Sequence, residues 1–170
     1  MIDLLSIVGV GAVVFLLLCS AFFSSSETAI FSLSPDWVDE QTKDSHSEAL
    51  VLKELYDDPH RLLVTLLVGN NIVNVAISSI VTVLIARFLP AGSTIAVTTL
   101  LTSFLLLVFG EIVPKSFGLA NAERWSLVVS KPVRSVERLL SPLITLFDWI
   151  TRRLNALISL EDAIEKPYLK

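Results

Sequence analysis

The stretch Gly110-Glu111-Ile112-Val113-Pro114-Lys115 puts a carboxylate, a proline and an ammonium directly after residues 91–109, which carry no charge. An ionisable group at that depth of an apolar span costs about 2.5 to 3.5 kcal/mol on insertion scales, so its presence points to function and asks for a partner. Lys115 follows Glu111 by four residues, on the same helical face and in the favourable order. Pro114 has no N–H, so a helix running through it withholds the usual donor from the Gly110 carbonyl, four residues earlier. A bare carbonyl beside a carboxylate can serve as a cation ligand. The same six residues also fit a proline kink at the membrane boundary, with Glu111 and Lys115 doing no more than neutralising each other.

The rest of the chain agrees with a bilayer setting. Of 170 residues, 53% are hydrophobic and only 18% charged, and the mean hydropathy is +0.71. That balance belongs to a membrane protein rather than to a soluble core. A formal charge of -4 argues against a nucleic-acid partner, which would call for a basic face. The single cysteine, Cys19, lies in an apolar run and can form no intrachain disulfide.

Outward from the opening stretch, two more apolar runs are long enough to cross. The first span, 7–31, has neither a basic n-region before it nor a small-x-small cleavage site after it, so it reads as a retained helix and not a signal peptide. Its later half turns polar, with Ser20, Ser24 and Glu27 stacked on one face. Serines that back-bond to their own helix, with Glu27 marking the water boundary, explain this equally well. The second span, 62–86, carries Asn70, Asn71 and Asn74, then Ser78 and Ser79, in its middle. Asn70, Asn74 and Ser78 share one face at four-residue spacing. Interhelical hydrogen bonding is the ordinary use of intramembrane Asn, but three in five residues would each need a partner in a different direction. The third span, 93–113, follows a short turn at 87–92.

Between the first two spans the chain is strongly charged. Ser34-Pro35-Asp36 and Asp58-Pro59 both read as helix starts, with a capping side chain followed by proline at the first helical position. The segment is expected to be a solvent-side helical hairpin or loop. Basic residues gather there (Lys43, Lys53, Arg61) and after the third span (Lys115, Arg124, Lys131, Arg134, Arg138), whereas Arg87 stands alone in the short turn. The positive-inside rule then places the N-terminus outside and the C-terminal segment in the cytoplasm. In that last segment Val133, Val136, Leu140, Leu143, Phe147 and Ile150 recur at helical spacing, with Arg134, Glu137, Arg138, Asp148, Arg152 and Arg153 on other faces. This predicts an amphipathic belt helix over about 132–158, Pro132 in its first turn and a kink at Pro142. Residues 161–170 read as a linker.

Each span thus bears a polar stripe. The donors are hydroxyl, carboxamide, backbone carbonyl and carboxylate oxygens, without sulfur or imidazole, which is the ligand set of a hard cation such as Mg²⁺, Ca²⁺ or Na⁺. One bound ion would satisfy all three stripes at once. There is no nucleophile paired with a base and no phosphate-binding glycine loop, so no enzymatic activity is expected.

Phe22-Phe23-Ser24-Ser25-Ser26-Glu27-Thr28-Ala29, Leu67-Val68-Gly69-Asn70-Asn71-Ile72-Val73-Asn74 and Phe109-Gly110-Glu111-Ile112-Val113-Pro114-Lys115 resemble, in the same order, the transmembrane domain of the cyclin-M (CNNM)/CorC family of magnesium transport proteins. The resemblance implies an all-α membrane protein: a homodimer with three transmembrane helices per protomer, a cytoplasmic helical hairpin and an amphipathic juxtamembrane belt helix. It implies a Mg²⁺ site facing the cytoplasm, Na⁺ as coupling ion, and cytoplasmic CBS domains beyond the linker that bind Mg²⁺-ATP. By this likeness Ser20, Ser24, Asn70, Asn74, Gly110 through its carbonyl, and Glu111 form the ion shell, supported by Glu27, Asn71, Ser78, Pro114 and Lys115. The expected function is Mg²⁺ transport across the cell membrane as Na⁺-coupled efflux; the alternative is a membrane-anchored Mg²⁺ sensor or regulatory module that moves no ion.

Overall fold

The computed structural model describes residues 4–43 and 47–165, and among these there is no strand. α1 (Leu4–Phe31) is followed by two short helices, α2 (Pro35–Thr42) and α3 (Ser47–Tyr56), then by the long α4 (Pro59–Ile85). α5 (Ala91–Leu105) runs into a π-helical segment, Leu106–Ile112, which continues as α6 (Val113–Ala120); α7 (Ala122–Glu165) ends the chain. Three helical stretches, Leu4–Phe31, Pro59–Ile85 and Ala91–Ala120, are long and apolar enough to cross a membrane. At 1.5 Å per residue each exceeds the roughly 30 Å of hydrocarbon it would span. Their outward faces carry exposed Leu, Ile, Val and Phe, from Leu5 and Phe15 on α1 to Leu100 on α5, which water would not tolerate and lipid does. The protein is an all-α, multi-pass membrane protein.

The helix starts fall where local chemistry puts them. Ser34 Oγ accepts from the Trp37 N–H at 3.4 Å and Asp58 Oδ1 from the Arg61 N–H at 3.1 Å, and Pro35 and Pro59 occupy first-turn positions whose N–H would have been orphaned anyway. The charged connection is a true helical hairpin: Val38, Leu52 and Leu55 are buried in the same core as Ile30 and Val133, and Tyr56 donates to the Leu33 carbonyl at 3.2 Å.

α1 is the centre of the bundle and packs on α4, α6, the π segment and α7. Two glycines permit the closest approaches. A methyl group on Gly69 of α4 would stand 2.7 Å from the Phe23 ring, and one on Gly118 of α6 only 2.3 Å from the Ser25 carbonyl oxygen. Trp125 at the start of α7 donates its Nε1–H to Ser25 Oγ at 3.1 Å and stacks edge-on against Phe117, which closes the junction of α1, α6 and α7.

Several expectations change. The third span does not stop at residue 113 but continues to Ala120, because the chain widens into π turns upstream of Pro114 instead of breaking there. A π turn shifts hydrogen bonding by one residue, as when the Val113 N–H donates to the Val108 carbonyl, and so accommodates a proline that an α-helix would not. The belt helix starts ten residues before Pro132, which lies inside α7 together with Pro142. It also runs through 161–165, where a linker was expected; residues 166–170 and the side chains of Asp148 and Arg152 lie outside the described residues. Glu137, assigned to a polar face, is buried at 3% exposure. The inward face of α7 is Ser126, Val129, Ser130, Val133, Glu137 and Ile144, about one residue out of phase with part of the apolar stripe.

Candidate cation site

Three elements meet at one hydroxyl. Ser20, fully buried on α1, places its Oγ 3.0 Å from Asn70 Oδ1 and 2.9 Å from Asn74 Oδ1. The two carboxamides reach it together because they lie one turn apart on α4. On the third side Gly110 of the π segment comes so close that a methyl group there would stand 2.8 Å from the same Ser20 Oγ. Only glycine allows the backbone to approach the hydroxyl this way.

The proton count gives the cluster its meaning. A serine hydroxyl has one hydrogen to donate, and a carboxamide oxygen has none. With both carboxamide oxygens turned toward Ser20 the three oxygens share a single proton, a conflict that turning one carboxamide over, so that its Nδ2–H donates to Ser20 Oγ, would also relieve. A cation relieves that conflict, and hydroxyl, carboxamide and carbonyl oxygens are what Mg²⁺, Ca²⁺ or Na⁺ takes. Ser24, one turn further along α1, is 1% exposed and its hydroxyl has no hydrogen-bond partner. Buried polar atoms are rarely left so. Ser25 and Ser26 differ: both donate to the Phe22 carbonyl, at 3.1 and 2.7 Å, and belong to the helix itself.

Glu111 follows Gly110 in the π segment and is half-buried. Among the described residues its carboxylate makes no ion pair or hydrogen bond. Lys115 does not neutralise it; the Lys115 ammonium lies 3.6 Å from Glu27 Oε2 and ties α6 to α1. Pro114 is buried and lines a cleft with Phe22, Ser25 and Trp125 rather than the oxygen cluster. Ser78 is half-buried one turn beyond Asn74. Asn71 is not part of the cluster: it is exposed, in an apolar groove with Leu67, Leu143 and Phe147, because one residue turns an α-helix by about 100°. Among the described residues no three His, Cys, Asp or Glu side chains gather to hold a metal, so an ion at Ser20 depends on neutral oxygens, and Glu111 is joined to the cluster only as the chain neighbour of Gly110.

A second polar cluster was missed in the sequence. Glu137 of α7 is paired through Oε1 with Arg61 of α4 and through Oε2 with Arg134 at 2.8 Å, and Arg134 reaches Glu54 of α3 at 2.9 Å. Arg61 also donates to Ser141 at 3.3 Å. Burial pushes the Glu137 carboxyl up, but hydrogen bonds from Arg134 and Arg61 outweigh it and hold the group below the ordinary carboxylate range. The network lines a cleft of about 670 Å³ with Asp57, Asp58 and Arg138, and it fastens the first turn of α4, the helix that bears Asn70 and Asn74, to α7. The legible signal was Arg134 three residues before Glu137, a spacing that pairs within a helix.

Comparison with known proteins agrees with this architecture. Residues 11–170 match the cyclin M transmembrane N-terminal domain. The chain is 33% identical to a UPF0053 protein of Haemophilus influenzae over 150 residues, 88% of this chain and 36% of that protein. It is 30% identical to the UPF0053 inner membrane protein YfjD of Escherichia coli, over 85% of this chain and 34% of that protein. A chloroplastic DUF21 domain-containing protein of Arabidopsis thaliana is 32% identical over 91% of this chain and 23% of its own length. The chain therefore spans only about a quarter to a third of the length of these three relatives. Three apolar helices in this order, with the Ser-Asn-Gly cluster between them and a family match over nearly the whole length, make the chain a member of the cyclin M (CNNM) transmembrane domain family.

Proposed function

We propose that this membrane domain moves Mg²⁺ out of the cytoplasm against an inward Na⁺ gradient, with Ser20, Ser24, Asn70, Asn74, the Gly110 carbonyl and Glu111 forming the shell of the transported ion. The observation that carries the reading is the meeting of Ser20 Oγ with two carboxamide oxygens at 3.0 and 2.9 Å inside three membrane helices. Oxygens gathered from separate helices around a buried hydroxyl are costly to leave unpaired and are stabilised by a bound ion. One carboxylate attracts the cation without fully neutralising a divalent charge, so the ion is bound firmly enough to enter and weakly enough to leave. The π segment supports movement as well as binding. Such turns bond less well than α turns and mark functional positions within helices, and this one carries both Gly110 and Glu111.

The partner and topology readings rest on the family likeness and on charge. They are a homodimer, the N-terminus outside, the C-terminal segment in the cytoplasm, α7 as a belt at the membrane surface, and CBS domains in the full-length protein. The deciding experiment places the full-length protein in sealed liposomes with a Mg²⁺-sensitive dye inside. Mg²⁺ flux that follows an opposed Na⁺ gradient is the expected result. Retained Mg²⁺ binding with no flux under any gradient would make the domain a membrane-anchored sensor instead.

A further inference from the structure

α5 buries three residues, and all are threonines: Thr94, Thr98 and Thr102. They are 5%, 5% and 6% exposed, whereas Ile95 and Leu100 on the same helix face outward. Four-residue spacing sets the three hydroxyls in one line. A hydroxyl in a membrane helix ordinarily donates to the carbonyl one turn back and so costs little. Thr65, Ser79, Thr82 and Thr99 do this here, at 2.8, 2.8, 2.7 and 2.9 Å, and Thr94 bonds the Leu89 and Pro90 carbonyls at the helix start. Thr98 and Thr102 do not: their hydroxyls are buried without any partner.

Their depth in the bundle connects them to the oxygen cluster. α4 and α5 pack as an antiparallel pair joined through residues 86–90. Equal rise per residue puts positions equidistant from that turn at similar depth, which matches Thr102 with Asn74 and Thr98 with Ser78. Asn74 already touches Ser20. The unpartnered hydroxyls therefore lie at the depth of Asn74 and, one turn nearer the membrane face that bears the 86–90 turn, at the depth of Ser78.

Resting on the transport reading above, we propose that Thr98 and Thr102, with Ser78, form a second oxygen subsite that takes the hard cation in transit between the Ser20 cluster and that face. All three donors are neutral, so the subsite holds an ion more weakly than a set with a carboxylate, as a position on a route requires. A seam that served packing alone would be better filled by valine, which has nearly the same shape and no hydroxyl to bury unpaired.

The test compares Mg²⁺ flux of the full-length protein in dye-loaded liposomes with Mg²⁺-dependent thermal stabilisation of the same variants in detergent. The double variant Thr98→Val with Thr102→Val should keep the stabilisation and lose flux by about tenfold, the order expected for losing a buried oxygen partner. Thr98→Ser with Thr102→Ser should restore flux, and Thr99→Val, whose hydroxyl is bonded to its own helix, should match wild type. Wild-type flux in the double valine variant, with a raised melting temperature, would overturn the proposal and make the hydroxyls a packing feature. Loss of Mg²⁺-dependent stabilisation along with flux would also overturn it, by assigning the threonines to the Ser20 cluster. Wild-type protein that binds Mg²⁺ but gives no flux would overturn the transport reading and this subsite together.

Discussion

Lys115 reaches across to Glu27 on α1, 3.6 Å away, and not to Glu111 one turn before it on its own chain. The obvious neutralising partner of Glu111 is thereby engaged elsewhere, and a half-buried carboxylate in a membrane span is left without an ion pair among the described residues. Glu111→Gln, which keeps the shape and removes the charge, is expected to abolish the rise in melting temperature on adding Mg²⁺, since ligand-linked stability vanishes with affinity. Lys115→Gln should leave that rise in place. The reverse pattern, with Lys115→Gln removing the Mg²⁺ response and Glu111→Gln sparing it, would take Glu111 out of the ion shell.

Ser20 is the point on which the cluster converges. Ser20→Ala removes the oxygen that meets both carboxamides, at 3.0 and 2.9 Å, and should weaken Mg²⁺ binding by roughly 1 to 3 kcal/mol. Asn74→Ala should cost a similar amount. Asn71→Ala, which alters a side chain outside the cluster, should not change affinity. Isothermal titration with Mg²⁺ measures all three, and an Asn71 effect as large as that of Asn74 would contradict the geometry.

Gly118 and Gly110, both packed close to α1, are expected to fail in different ways. In Gly118→Ala the new methyl group meets a backbone carbonyl at 2.3 Å, which cannot move without separating α6 from α1. This variant should lose stability on the order of 3 kcal/mol, at the severe end for an overpacked contact. Gly110→Ala meets only the Ser20 hydroxyl, at 2.8 Å, and a serine rotamer can swing away. It should fold but bind Mg²⁺ poorly, because Ser20 then leaves Asn70 and Asn74. Gly92→Ala, with nothing nearby, is the control. Thermal melts with and without Mg²⁺ separate the three.

Glu137 makes stability depend on pH. Its carboxyl is held below the ordinary value of 4.5 by Arg134 and Arg61 against the effect of burial. A lowered pKa means that the folded state binds the proton less readily than the unfolded one, so the contribution is complete above the unfolded pKa and is lost as pH falls through the folded one. Melting temperature should therefore fall on acidification below about pH 4.5, and less so in Glu137→Gln. That variant leaves two guanidinium groups facing each other. It should cost about 2 kcal/mol at neutral pH, less than the 3 to 5 for a fully buried pair, because the Arg61 and Arg134 side chains keep 34% and 28% exposure. A Glu137→Gln protein with wild-type stability and an unchanged acid limb would show that the network does not fasten α4 to α7.

The sequence by itself determined the three membrane helices, the hairpin between the first two, the capped starts at Ser34 and Asp58, and the polar stripes around Ser20, Asn70 and Glu111. All of these follow from length, hydropathy and spacing along one helix, which are local properties of the chain. The tertiary structure decided which of those polar groups face one another. Asn74 joins Ser20 while Asn71 turns away, Lys115 takes Glu27, Glu137 is drawn inward between two arginines, and Thr98 and Thr102 are buried without partners. Each outcome depends on how far a helix is rotated about its own axis. That rotation is fixed by contacts between distant residues, above all Gly69 against Phe23 and Gly118 against the Ser25 backbone, where the absence of a side chain lets two helices come close enough to lock in a single orientation.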